Sequence, residues 1–252
     1  MNCNMFVWGL GAFVLSSTLA LVTYLLASYE IRSVTERQTS LLYGPAGITT
    51  FLIFTWYTIS MHYALVTFND LHLIFTIPFF ATLLLFSLLI GVTMHTDAQT
   101  LLISRRYTLL FIPVGWFLAR IDQLPITSHE SIVGSMLGIT FLWGINMVGK
   151  YYKKQHVVGQ GDVDLMGLIG AFTGFRGCWF ALLFGSWIGI MFIVVAVAFN
   201  YFFKKTKTAT SLVSQIPFGL FLGYGILAYL WITTTQPTRW IGQFCLNFPF
   251  LH

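Results

Sequence analysis

The chain has 252 residues, of which 57% are hydrophobic and only 8% are charged. Soluble domains have roughly 45–50% apolar and about 25% charged residues, so this composition excludes a soluble globular protein and indicates a membrane protein with several spans. The formal net charge is +5, but no basic stripe with interleaved aromatic residues lies outside the predicted membrane loops, so nucleic acid is not an expected partner.

Apolar runs that could cross a bilayer core of about 30 Å follow one another along the whole chain. We predict an all-α transmembrane bundle of eight spans, which forms a single integral-membrane domain over residues 1–252. The predicted spans are 5–27, 45–66, 72–95, 107–119, 131–149, 163–175, 178–203 and 215–234. Those at 107–119 and 163–175 are short, which leaves tilted, broken or partly inserted helices open.

Basic residues are distributed unevenly over the loops of this predicted topology. Ten of the thirteen follow the first, third, fifth and seventh spans: Arg32, Arg37, Arg105, Arg106, Lys150, Lys153, Lys154, Lys204, Lys205 and Lys207. Cytoplasmic loops are enriched in Lys and Arg, so the pattern predicts that these four loops are cytoplasmic and that both termini are extracytoplasmic.

Two aspartates lie at the cytoplasmic ends of predicted spans. Asp97 follows the third span and opens a short polar stretch, and Asp162 ends the segment GQGD, residues 159–162, just before the sixth span. An ionisable residue at a membrane boundary is costly, so a function is the first hypothesis. Two carboxylates that share one proton can activate water, because the ionised one accepts a proton from the water and the protonated one donates to a carbonyl oxygen. The alternative is that Asp162 only caps the next helix.

Other polar and small residues near these segments have simpler explanations. Asp164 does not share a helix face with Asp162, and we expect a solvated acid that the dipole of the following helix stabilises. Arg105 and Arg106 are expected to anchor the membrane interface, although one of them could instead hold the loop that carries Asp97. The GxxxG step at 185–189 is expected to pack inside the bundle rather than to form a dimer.

Three segments, in order along the chain, resemble the type IV prepilin peptidases. Residues 159–166, GQGDVDLM, resemble the GxGD segment of that family, and the glycines at 170 and 174 continue the likeness. Residues 97–109 resemble its first aspartate segment, and residues 216–225, IPFGLFLGYG, resemble the PFG segment of its last helix. GxGD alone is a weak signal, but the ordered set over roughly residues 40–235 is specific.

The resemblance implies an aspartic endopeptidase of the bacterial inner membrane. Such enzymes cleave the leader of type IV prepilins or type II secretion pseudopilins after a glycine, at the cytoplasmic face. Asp97 and Asp162 would be catalytic, within segments at about 95–110 and 159–175. Residues that would support the site are Gly159, Gly161, Asp164, Pro217 and Gly219. The resemblance implies no cofactor and no metal, and the expected partners are the substrate protein and membrane lipid.

This chain departs from the family pattern in several places. Asp164 stands where the family has lysine, and Ser104 and Leu220 stand where it has prolines. Many members also carry a cytoplasmic domain with paired CxxC motifs between the first two spans, which is linked to N-methylation of the new terminus. The corresponding loop here, about residues 28–43, has no cysteine, so methyl transfer is not expected.

Two other functions remain open on the residues alone. An intramembrane aspartyl protease of the presenilin and signal-peptide-peptidase type shares GxGD, but the last span has Pro217-Phe218-Gly219 where a PAL segment would be expected. A small transporter could use the two aspartates to carry protons or cations. Such carriers often have internal repeats with broken helices in matching positions, and no clear repeat is visible in this sequence.

Overall fold

The computed structural model describes residues 18, 21–29, 31, 73–121, 124, 126–154, 157–203 and 217–235. Within these ranges the regular structure is helical, without a strand, which confirms the predicted all-α class. The predicted span at 45–66 lies outside these ranges, as does most of the span at 5–27, of which residues 21–27 are helical. The count of eight spans therefore stays a prediction.

The remaining predicted spans all fall on helices. In chain order these are α1 (Leu73–Thr100), α2 (Arg105–Arg120), α3 (Ser128–Lys153), α4 (Gln160–Phe203) and α5 (Phe218–Thr235). Three stretches of the described chain are long and apolar enough to cross a membrane, namely Ala81–Thr100, Ser128–Tyr152 and Gln160–Val195. A shorter apolar helix covers Phe218–Leu230.

Helix α1 continues five residues beyond its predicted end at residue 95, so Asp97 lies in a helix and not in a loop. The polar residues there are compatible with a helix because their side chains bond to its own backbone: Thr100 Oγ1 donates to the carbonyl of Thr96 at 2.8 Å. The helix ends at Thr100, and the next residue, Leu101, has a left-handed φ of 56°, which is a common way to terminate a helix. Hydropathy marked the edge of the apolar run, which is not the end of the helix.

Helix α4 is interrupted at Gly174, where φ is 68° and ψ is −169°. The Cys178 thiol donates to the carbonyl oxygen of Met166 at 3.3 Å, although residues twelve apart in a straight helix would be about 18 Å apart. The chain therefore folds back at Gly174. This break separates the two segments that were predicted as distinct spans at 163–175 and 178–203.

Small residues allow the helices to approach closely. Ser131 of α3 donates to the carbonyl oxygen of Ala171 in α4 at 2.5 Å, and a Cβ on Gly170 would collide with the backbone of Gly134. Further along α4, Gly185 faces the backbone of Phe221 in α5. The GxxxG step at 185–189 therefore packs inside the bundle, as predicted.

The apolar core joins the end of α1 to the beginnings of α4 and α5. The rings of Phe86 and Phe172 stack with centroids 4.7 Å apart, and the Met94 side chain lies against Gly223 of α5. Large side chains that are fully buried in this core include Ile90, Leu165, Leu168, Ile169 and Leu222. This packing fixes three helix ends next to one another, and both predicted catalytic aspartates lie there.

Candidate active site

Asp97 lies in the last turn of α1 and is only 5% exposed. Its Oδ2 accepts a hydrogen bond of 2.9 Å from the backbone N–H of Leu220. Leu220 is the third residue of α5, and the first N–H groups of a helix have no partner within it. Pro217 directly precedes this helix, at a position where its missing N–H costs nothing. Asp97 therefore caps a distant helix, whose dipole favours a negative charge at this end.

Asp162 lies in the first turn of α4 and is 8% exposed. It is not the capping residue of that helix, because Gly159 occupies the position before Gln160 and its carbonyl accepts from the Asp162 N–H at 3.1 Å. Its Oδ1 is buried and has no hydrogen-bond partner among the described residues. Such a group is expensive to bury as a bare acceptor, so the simple capping role considered for Asp162 does not explain its position.

The two carboxylates meet at Gly219. A Cβ at this residue would lie 3.0 Å from Asp97 Oδ2 and 3.1 Å from Asp162 Oδ1. Both oxygens therefore lie close to one point, and their separation is at most about 6 Å. One water can bridge two oxygens at such a distance, since each hydrogen bond spans roughly 2.7–3.0 Å. The hydrogen that replaces a side chain at Gly219 leaves this space open.

The loop between α1 and α2 covers the pair through Ile103, which is half-buried. A Cβ on Gly161 would lie 2.7 Å from Ile103 Cβ, and one on Gly219 would lie 2.5 Å from Ile103 Cδ1. Any side chain at either glycine would push this loop away. A side chain at Gly159 would also be crowded, since a Cβ there would lie 3.0 Å from Asp162 Oδ2. The three predicted supporting glycines thus surround the two aspartates.

Asp164 differs from its prediction as a solvated acid. Its side chain is only 6% exposed, and its Oδ2 accepts a hydrogen bond of 2.7 Å from Arg105 Nε. Arg105 is 56% exposed, so it links a buried carboxylate to solvent rather than serving only as an interface anchor. The helical periodicity correctly placed Asp164 and Asp162 on different faces of α4. It could not reveal that Arg105, from another helix, lies against the face that carries Asp164.

Two contributions to the site were missed in the sequence. The first is the backbone N–H of Leu220, which no side-chain pattern can indicate. The second is Asn146 of α3, whose amide bonds to the backbone of Val157 and Val158, just before Gly159. The signal that could have found it is a lone asparagine inside an otherwise apolar predicted span, where an unsatisfied amide would be costly.

Residues 83–195 match the model of the Type IV leader peptidase family. The matched segment includes both aspartates, all of α2 and α3, and the part of α1 that carries Asp97. This part of the chain is similar to that family, and the resemblance inferred from the ordered motifs is confirmed.

Curated relatives give more particular names. The chain is similar to proteins named "Prepilin leader peptidase/N-methyltransferase". That of Klebsiella pneumoniae is 30% identical over 112 residues, covering 44% of this chain and 47% of the relative. That of Aeromonas salmonicida (strain A449) is 28% identical over 164 residues, covering 64% and 51%. That of Aeromonas hydrophila is 27% identical over 162 residues, also covering 64% and 51%. The chain thus spans about half the length of these relatives, and no solved structure matches it.

The ion pair of Arg105 and Asp164 yields a stability prediction. Arg105→Ala leaves a buried carboxylate without its partner, so we expect the free energy of unfolding to fall by about 1–2 kcal/mol. Arg106→Ala, a change at the exposed neighbouring arginine, is the matched control and should stay within about 0.5 kcal/mol of wild type. Thermal unfolding in detergent measures both.

The reversed pair completes this test. Asp164→Arg alone places two cations together and should be destabilising, whereas Asp164→Arg combined with Arg105→Asp should recover part of the loss. Equal stability of all the variants would show that the pair contributes nothing.

Gly219→Ala is predicted to inactivate the site. The added methyl group would lie about 3 Å from an oxygen of each aspartate, in the space that a bridging water needs. We expect turnover to fall at least about 100-fold, since displacements near 1 Å at a reacting centre have effects of that size. Gly144→Ala is the control, because a Cβ there meets nothing within 4 Å. Unchanged activity of Gly219→Ala in an assay of leader cleavage would contradict this geometry.

Proposed function

We propose that this protein is a membrane-embedded aspartic endopeptidase that cleaves the leader of type IV prepilins or type II secretion pseudopilins at the cytoplasmic face. The observation that carries the proposal is the meeting of two buried carboxylates, 65 positions apart in sequence, at the space beside Gly219. The match of residues 83–195 to a leader peptidase family supports the same reaction.

The different surroundings of the two carboxylates support a division of roles. Asp97 accepts the Leu220 N–H at the beginning of a helix, and both the hydrogen bond and the helix dipole favour its charged form. No hydrogen-bond donor reaches Asp162 Oδ1 among the described residues. An oxygen that carries a proton is itself a donor and does not need one. Asp97 is therefore the base and Asp162 the acid that holds the shared proton.

The reaction follows from this arrangement. Water held between the carboxylates loses a proton to Asp97 as it attacks the carbonyl carbon of the scissile peptide bond. Asp162 donates its proton to the carbonyl oxygen, which gives a tetrahedral intermediate. Return of a proton to the leaving nitrogen breaks the C–N bond and releases the leader. No group other than the two carboxylates and water is needed for the proton transfers.

The position of the site in the bundle supports a cytoplasmic orientation. Asp97 is near the end of α1 and Asp162 is at the beginning of α4. Basic residues flank the same helix ends, with Arg105 beginning α2 and Lys150 in the last turn of α3. Since positive residues favour the cytoplasmic side, this end of the bundle is expected to face the cytoplasm.

We propose the peptidase reaction only. The names of the curated relatives combine two activities, and the chain spans about half of their length. Residues 28–43, which the sequence predicts to be a loop, contain no CxxC motif, and we do not expect methyl transfer from this chain.

Replacing either aspartate is predicted to remove cleavage without unfolding the protein. Asp97→Asn and Asp162→Asn preserve shape but cannot exchange the shared proton, so the rate should fall by about 10²–10⁴-fold or more. Glu130→Gln is the acidic control, since the side chain of Glu130 bonds to Thr127 in the capping box at the start of α3 and not to either aspartate. Gel-based cleavage of a prepilin in proteoliposomes measures all three variants.

The same proteoliposomes separate a peptidase from a carrier. Full cleavage by either Asn variant would contradict the proposal. A wild-type protein that leaves the prepilin intact, but shows ion-coupled solute uptake that Asp97→Asn removes, would favour the transporter instead.

A further inference from the structure

Asn146 makes three hydrogen bonds to the segment that precedes Asp162. It lies on α3 and is only 5% exposed. Its Oδ1 accepts from the N–H of Val157 at 3.1 Å and from the N–H of Val158 at 2.8 Å, and its Nδ2 donates to the carbonyl oxygen of Val158 at 2.9 Å. The side chain thus binds two consecutive residues of the connection between α3 and α4.

The orientation of this amide is determined by its partners. An asparagine oxygen can accept two hydrogen bonds, and only its nitrogen can donate. Two backbone N–H groups and one carbonyl oxygen therefore fit the Asn146 amide in one way and not in the flipped one. With three of its four possible bonds made, the side chain is held firmly, and its burial is compensated.

The first turn of α4 is built directly on this anchored segment. Gly159 follows Val158, and its carbonyl accepts from the N–H groups of Asp162 at 3.1 Å and Val163 at 3.4 Å. A shift of Val158 would thus move the turn that carries Asp162. Such a shift would change the position of the Asp162 carboxylate at Gly219, where an added Cβ would lie 3.1 Å from Asp162 Oδ1 and 3.0 Å from Asp97 Oδ2.

We propose that Asn146 is a positioning residue for Asp162, which holds the start of α4 so that the Asp162 carboxylate faces Asp97. Its kinetic consequence rests on the proposed peptidase function, whereas its structural consequence does not. A residue that merely tied α3 to the next connection would affect stability alone. A positioning residue must also affect turnover, since small displacements of a reacting group have large effects on rate.

The test compares Asn146→Ala and Asn146→Asp with wild type in the full-length protein. Asn146→Ala removes all three bonds, and we expect kcat to fall about 10–100-fold while KM stays within about twofold. Asn146→Asp retains an acceptor for both N–H groups but loses the donor to Val158, so its kcat should be intermediate. Thr140→Ala is the control, because Thr140 is an exposed residue of α3 whose hydroxyl bonds only to its own helix.

Hydrogen exchange measured by mass spectrometry supplies a readout that does not depend on catalysis. The amides of residues 157–163 should exchange faster in Asn146→Ala than in wild type or Thr140→Ala. Unchanged exchange overturns the proposal, whether or not the wild-type protein cleaves a leader. Faster exchange with unchanged kcat also overturns it, since the tie would then be structural only.

Two further outcomes, a variant that does not fold and a wild-type protein without activity, can be told apart from these. If Asn146→Ala does not fold, the result for Asn146→Asp is used instead. Faster exchange together with a lower kcat in Asn146→Asp supports the proposal, and failure to see both overturns it. If the wild-type protein cleaves no leader, the proposed function fails, while faster exchange at residues 157–163 still supports the link between Asn146 and the start of α4.

Discussion

Two carboxylates buried within about 6 Å of each other impose the main constraint on this structure. A buried charge without compensation costs several kcal/mol, so a site of this kind persists only if its charge is kept low. The Leu220 N–H donates to Asp97 and favours its charged form, and in the proposed mechanism the shared proton neutralises Asp162. A third buried carboxylate, Asp164, is balanced by Arg105. In this proposed state the site has a net charge of about −1, as acid and base catalysis by two carboxyl groups with one shared proton requires.

The architecture brings the two carboxylates together by close helix approach. The chain folds back at Gly174. Close backbone contacts join α3 to α4 at Gly134 and Gly170, and α4 to α5 at Gly185. Apolar helices in lipid gain little from hydrophobic burial against one another, so such close packing is a main source of their association. It places the beginnings of α4 and α5 beside the end of α1, where Asp97 and Asp162 meet beside Gly219.

Local patterns in the sequence predicted the helices, the interruption near Gly174 and the candidate aspartates, because these depend on hydropathy and on short motifs. They failed at a helix end that hydropathy does not mark and where contacts between helices decide. Asp97 proved to be inside a helix, since hydropathy does not register hydroxyls that bond to their own backbone. Asp164 proved to be buried, since its partner Arg105 comes from another helix. The role of Asn146 was invisible because its partners are backbone groups in a connecting segment.

The central claim is that Asp97 and Asp162 act together on one water. A structure of the protein with a prepilin peptide that carries a non-cleavable hydroxyl analogue of the tetrahedral intermediate tests it most directly. We expect the hydroxyl oxygen to lie within about 3 Å of an oxygen of each aspartate, beside Gly219. A peptide bound with its scissile position away from Gly219, or in contact with only one of the two carboxylates, would contradict it.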